Sequence, residues 1–193
     1  MNSRKIAFIS LMSALGLLLS ALSLNMAPIF SAVGQGGAAL DFSHTATFIA
    51  SIFGGPSAGI AVGLLGGIYA GFHFGYVMGS LGLLSLFGVP LGKALTGLTA
   101  GLLYKKLRIN ERKRISILTV LTVLASYIPE CIFTIMYFLY LVPIFYGFSM
   151  SFLVPIVISK AWVEIVVMSF LMGALVGNNG FKEFVAKFLL TTK

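Results

Sequence analysis

The sequence predicts an all-α, polytopic integral membrane protein with six transmembrane helices, and three observations carry that expectation. The chain is 59% hydrophobic and 9% charged, with a mean hydropathy of +1.04, whereas a soluble domain carries about 25% charged residues. Most of its charges flank long apolar runs. Glycine also recurs at every fourth position from Gly55 to Gly79, through Gly59, Gly63, Gly67, Gly71 and Gly75. In a soluble helix each glycine would cost roughly 1 kcal/mol relative to alanine. In lipid, small residues four apart let helix backbones approach closely, and that packing drives association.

A span needs about 20 apolar residues. The first is expected over residues 6–24 and the second over 42–54, which is short for a span. The third covers 56–72, the fourth 80–104, the fifth 115–141 and the sixth 153–177. Gly54, Gly55 and Pro56 make a tight break between the second and third. Pro143 and Pro155 bracket the loop before the sixth. The N-terminal apolar run reads as a first span, not as a removed signal peptide.

The formal net charge of +8 does not mark a nucleic-acid partner, because of where the charges lie. Eleven of the 13 basic residues fall at Arg4 and Lys5, in the run Lys105, Lys106, Arg108, Arg112, Lys113 and Arg114, and at Lys182, Lys187 and Lys193. This is the positive-inside pattern. It places both termini and the 105–114 loop in the cytoplasm, in a multi-pass protein of the cell membrane. Segments 25–41, 72–80 and 142–152 then face outside, with Asp41 their only formal charge. The tail 181–193 alternates Phe, Val and Leu with Lys182, Glu183 and Lys187, as an amphipathic helix on the inner surface does. The single Cys131 excludes a disulfide framework.

One membrane domain, 1–193, is expected, in two unlike halves. Seventeen of the 22 glycines lie between Gly34 and Gly101, so residues 1–107 form a tightly packed half. Residues 108–180 are bulky and leave room for a pocket. Seven glycines at a spacing of four drift by about 40° per step on a helix. Gly55 to Gly71 are therefore expected to wind around the third span and touch more than one neighbour. Gly75 and Gly79 fall in the outer loop, where they would supply flexibility.

Lys93, Glu130, Lys160 and Glu164 fall inside predicted spans. A charge at mid-bilayer costs at least about 2.5–3.5 kcal/mol, so such residues face an interior or a cavity. Lys160 and Glu164 share one helix face. Glu130 follows the helix-kinking Pro129 and shares its face with Ser126, Thr134 and Tyr137. Glu130, Thr134, Tyr137, Lys160 and Glu164 are the candidate ligand-binding residues, with Lys93, His73, Tyr76 and Asn25 as additions. The purely structural alternative is a Lys160–Glu164 or Lys160–Glu130 bridge that only joins helices. For Lys93 the alternatives are a pairing role or snorkelling to the inner surface. His73 and Tyr76 would otherwise belong to an interfacial aromatic belt. The loop from Asn25 to Asp41, with Gly34, Gln35, Gly36 and Gly37, is long enough to act as a lid. Asp41 reads as an N-cap or first-turn acid of the second span.

Catalysis is not expected. Gly55-Pro56-Ser57-Ala58-Gly59 matches the nucleophile pattern G-x-S-x-G, but His73 is about 24 Å further along a continuous helix. His44 lies at the outer end of the second span. Neither can activate Ser57. No phosphate-binding loop or metal-spaced His/Cys cluster is present, and no cofactor is expected.

Four local features carry a resemblance. Arg4-Lys5-Ile6-Ala7 leads into small residues at Ser10 and Ala14. The long outer loop ends in Leu40-Asp41-Phe42-Ser43. Phe53-Gly54-Gly55-Pro56 with Gly59 and Gly63 opens the third span. Pro90-Leu91-Gly92-Lys93 leads into Gly97 and Gly101, then Leu102-Leu103-Tyr104-Lys105-Lys106. With its size and six spans, the chain resembles the substrate-binding S components of energy-coupling factor (ECF) transporters. The resemblance implies capture of a water-soluble vitamin or related micronutrient in an outward-facing pocket built mainly from the last three spans. It implies a transmembrane T component and two cytoplasmic ATPase subunits as partners, with Ser10 and Ala14 on the surface that meets the T component. The alternatives left open are a stand-alone proton-coupled carrier, using Glu130 or Glu164, and a non-transporting membrane scaffold.

Overall fold

The computed structural model describes residues 3–26, 40–79 and 82–189, and among them every regular element is helical. Helix α1 spans Ser3–Asn25, α2 His44–Gly54, α3 Pro56–Phe72, α4 Gly82–Lys106, α5 Ile115–Tyr146, α6 Leu153–Gly177 and α7 Asn179–Leu189. A π turn, His73–Val77, extends α3. Five of these helices are long and apolar enough to cross a membrane: α1, α3 with its π turn, α4, α5 and α6.

The second expected span is different. Helix α2 has 11 residues, so it is about 16 Å long against a hydrocarbon core of about 30 Å. Nine of its residues are buried, including His44, Thr45, Thr47 and Ser51. It is an internal plug between α1, α3, α4 and α6, with Phe48 at the centre of the main core beside Val62, Met168 and Met172. Protein rather than lipid surrounds its polar side chains, which removes the cost of placing them at membrane depth.

The glycine ladder forms one seam. A Cβ on Gly59 would come within 2.5 Å of Gly97 O, on Gly63 within 2.6 Å of Lys93 O, and on Gly67 within 2.7 Å of the Pro90 Cα. On Gly71 it would meet Ser85 O at 2.7 Å, and on Gly75 it would meet Gly82 O at 2.5 Å. Five successive rungs therefore face α4, and the first of them, Gly59, also abuts Ser51 of α2, so the ladder meets a second neighbour as expected while most of its contact is with one helix. A four-residue repeat is longer than a helical turn, so its stripe drifts, and two helices that wind about each other keep it in contact. The wider π turn winds by less per residue and carries Gly75 back onto α4. Gly75 is thus a packing residue, not a flexible one. Gly79 does serve a turn, at φ +65° with open space around it. The interleaved Gly66 lies against Gly16 of α1, which packs on another side of α3.

Pro129 interrupts α5, because its nitrogen cannot donate to the preceding turn. The helix breaks at Tyr127, resumes at Ile128, and passes through a second π turn, Tyr137–Leu141, before ending at Gly147. Thr99 Oγ1 of α4 donates to the Ser126 carbonyl at 2.8 Å beside the break. At the basic end of the bundle, α7 lays Phe181, Val185 and Leu189 on the core. Its Phe188 and Phe181 rings meet Phe8 and Phe53 at 6.2 and 5.7 Å. Ser57, in the first turn of α3 at that end, is hydrogen-bonded by Lys5 Nζ at 3.1 Å. Most of the expected lid, 27–39, lies outside the described residues.

Candidate functional site

A cavity of about 720 Å³ lies among the end of α1, the start of α2, the first π turn, α4, α5 and α6. It runs from Asp41, His44 and Lys93 at its floor to Asn25, His73 and Met78 towards the end opposite the basic loop. Its walls are apolar and aromatic, with Phe74, Phe133, Phe138, Leu153 and Val157 among them. Both π turns contribute, through His73 and Phe74 in one and Tyr137 and Phe138 in the other. Such turns widen a helix and re-aim its side chains, and they recur at functional sites.

The floor is a network of buried charge. Lys93, in the middle of α4, is 3% exposed. Its ammonium donates to Asp41 Oδ2 at 2.6 Å and to Ser43 Oγ. Asp41 also accepts from the Ser43 N–H at 3.0 Å and from Ser20 Oγ at 3.4 Å. Its own N–H donates to Glu164 Oε1 at 2.6 Å. Lys160 Nζ lies 3.4 Å from the same Glu164 oxygen and 5.6 Å from the centre of the Phe74 ring, a cation–π distance. Glu130 Oε2 lies 2.9 Å from His44 Nε2 and accepts from Thr96 Oγ1. Five elements are tied together where unpaired charge would be costly.

Lys93, Glu130, Thr134, Tyr137, Lys160, Glu164, His73 and Asn25 all line this cavity. Tyr76 is not among the lining residues; it is 51% exposed and stacks on Phe72 at 5.5 Å. The π turn sends the ring one way and neighbouring His73 and Phe74 the other. Asn25 and His73 are joined at the mouth, since Asn25 Nδ2 donates to Tyr69 Oη at 2.7 Å and Tyr69 stacks on His73. Of the two bridges considered for Lys160, the one to Glu164 forms. Lys93 pairs internally and does not snorkel.

Two floor residues escaped the sequence reading. Asp41 is not the N-cap or first-turn acid expected: Ser43 holds the cap position, and Asp41, two residues before it, is the partner of Lys93. His44 is the partner of Glu130. His44 opens α2 and Asp41 lies three residues before it, and the shortness of that helix is the signal that both lie at depth. Thr96, 4 residues before Ala100 on α4 and fully buried, gave no such signal. Among the described residues no group of three or more His, Cys, Asp or Glu side chains is disposed to hold a metal ion.

On α1, Ser10 and Ala14 are exposed, on the face opposite Phe8, Ser13, Gly16 and Ser20.

The family model described as "ECF transporter, substrate-specific component" matches residues 4–176. No curated protein and no solved structure matches the chain.

Proposed function

The chain belongs to the ECF transporter substrate-specific components, and from that premise we propose that it captures a vitamin-like micronutrient at the outer face for ATP-driven uptake. As a member it is a multi-pass membrane subunit that confers substrate specificity on a transporter, working with T and ATPase modules. It is not itself the enzyme of that assembly. The proposal concerns which solute it takes, from which side, and through which residues.

One observation carries the reading. Among the described residues, three buried side-chain atoms lack a hydrogen-bond partner: Ser13 Oγ, His44 Nδ1 and Tyr137 Oη. Two of the three belong to residues that line the cavity. Buried polar groups are nearly always paired, and leaving one unpaired costs about 1–3 kcal/mol. A bound polar solute that draws these two side chains a short way into the cavity would satisfy both and recover that cost. The aromatic and aliphatic walls would cover the rest of a drug-sized molecule, for which about 300–1,000 Å³ is the usual range.

In this reading Glu130, Thr134, Tyr137, Lys160 and Glu164 contact the solute, with His44 joining them. Asn25 and His73 stand at its entrance. Lys93 holds the floor through Asp41 and acts on the solute only indirectly. Ser10 and Ala14 meet the T component, where small side chains let a partner helix approach.

Native mass spectrometry of gently purified protein should reveal a retained small molecule, lost on denaturation. Glu130→Gln and Lys160→Met should weaken its retention. Ser10→Leu should leave retention intact and instead reduce co-purification with the T component. The absence of any retained molecule, together with no binding across a broad vitamin panel, would sink the proposal. The reverse mutational pattern would sink the residue assignment.

A further inference from the structure

The fixed charges around the cavity do not balance. Its lining holds three carboxylates, Asp41, Glu130 and Glu164, and two ammonium groups, Lys93 and Lys160. Lys93 answers Asp41 at 2.6 Å and Lys160 answers Glu164 at 3.4 Å. Glu130 is left with a histidine and a threonine hydroxyl.

The uncommitted atoms point the same way. Glu130 Oε2 is occupied by His44 Nε2 and Thr96, whereas Oε1 accepts no hydrogen bond among the described residues. Glu164 Oε1 serves both Lys160 and the Asp41 N–H, and Oε2 likewise accepts none. His44 Nδ1, the ring nitrogen turned away from Glu130, is buried and unpartnered. The two carboxylate oxygens are acceptors. Tyr137 Oη, also buried and unpartnered, can act either way. The floor thus offers two unoccupied carboxylate oxygens, beneath aromatic walls that favour a flat apolar body.

Resting on the reading of this cavity as the substrate site, we propose that its ligand carries a cationic or donor-rich nitrogen head, such as a protonated amine, an amidine or an aminated heterocycle, seated against Glu130, with an apolar ring system against the walls. A carboxylate in that position would meet carboxylate oxygens at low dielectric, where like charges repel strongly. Glu130 is then the specificity-determining residue, and the Lys160–Glu164 pair is held neutral beside it.

Three probes with one body test the head group: biphenyl-4-ylmethylammonium, biphenyl-4-ylmethanol and biphenyl-4-carboxylate. Each is titrated by calorimetry into the full chain in nanodiscs of zwitterionic lipid, with empty nanodiscs subtracted. Trp162, the chain's single tryptophan, has its ring edge-on to cavity-lining Tyr127 at 5.3 Å. Saturable change in its fluorescence therefore reports occupancy of this cavity. The ammonium probe is expected to bind at least tenfold tighter than the carboxylate, with the alcohol between them. In Glu130→Gln the preference is expected to fall below threefold. Equal or tighter binding of the carboxylate in the wild-type chain overturns the head-group assignment while leaving the cavity a binding site. An undiminished preference in a folded Glu130→Gln variant overturns the role of Glu130. Failure of all three probes to bind saturably overturns this inference and counts against the cavity as a substrate site, an outcome distinct from the other two.

Discussion

Gly63→Ala and Gly66→Ala make the same chemical change three residues apart on α3, and the structure assigns them opposite consequences. A Cβ on Gly63 would lie 2.6 Å from Lys93 O, 2.7 Å from Lys93 C and 2.8 Å from the Ala94 Cα, all backbone atoms. Ordinary contact begins at 3.4 Å, so α4 must retreat by about 0.8 Å. A rigid helix backbone cannot do so locally, and overpacking of this kind costs about 1–3 kcal/mol. Better helix propensity returns at most about 1 kcal/mol. A Cβ on Gly66 meets its nearest atom, the Gly16 Cα, at 3.5 Å, so the propensity gain stands alone. Unfolding of detergent-solubilised protein, followed by helical circular dichroism against SDS concentration, should show Gly63→Ala less stable than Gly66→Ala by about 2 kcal/mol. Because the strain falls on the Lys93 backbone, Gly63→Ala should also weaken ligand retention. Equal stability of the two variants, or a less stable Gly66→Ala, would refute the seam between α3 and α4 as the basis of packing.

Lys93→Met should destabilise the protein by about 3–5 kcal/mol, because it leaves the Asp41 carboxylate buried without its cation. Adding Asp41→Asn should restore most of that, and a double-mutant cycle in the same unfolding assay measures the coupling. Tyr137→Phe removes a buried, unpaired hydroxyl. The ligand-free protein should therefore be as stable as the wild type or gain up to about 1–3 kcal/mol, while the retained small molecule is lost in native mass spectrometry. Val185→Asp should undock α7, since an 11-residue helix is marginal alone. Limited trypsin digestion at Lys182 and Lys187 should become rapid, with α1 to α6 remaining resistant.

The site was partly legible in sequence because charge in an apolar span has few acceptable places. That reasoning singled out Lys93, Glu130, Lys160 and Glu164 as interior groups, and the structure brings all four to one cavity. It offers the Lys160–Glu164 bridge, which forms, but not the partners of Lys93 and Glu130. Those partners, Asp41 and His44, sit at the outer edge of the second expected span, where hydropathy gives no reason to count them among the interior charges. The π turns were equally hidden: neither His73–Val77 nor Tyr137–Leu141 carries a composition distinct from an α-helix, and they decide which rings face the cavity. Tyr76 was assigned to the pocket for want of that information.

Hydropathy, the placement of basic residues and the four-residue glycine repeat determined by themselves that this is a helical membrane protein with tight backbone packing. Those properties depend on the solvent each residue must face and on local spacing, and both are written along the chain. Tertiary structure alone decided that α2 is buried among four helices, that the glycine ladder packs chiefly on α4, and that Asp41 answers Lys93 across 52 positions of sequence. These outcomes depend on which distant backbones approach within van der Waals contact. A buried charge chooses its partner by position in space, and no periodicity along the chain encodes that choice.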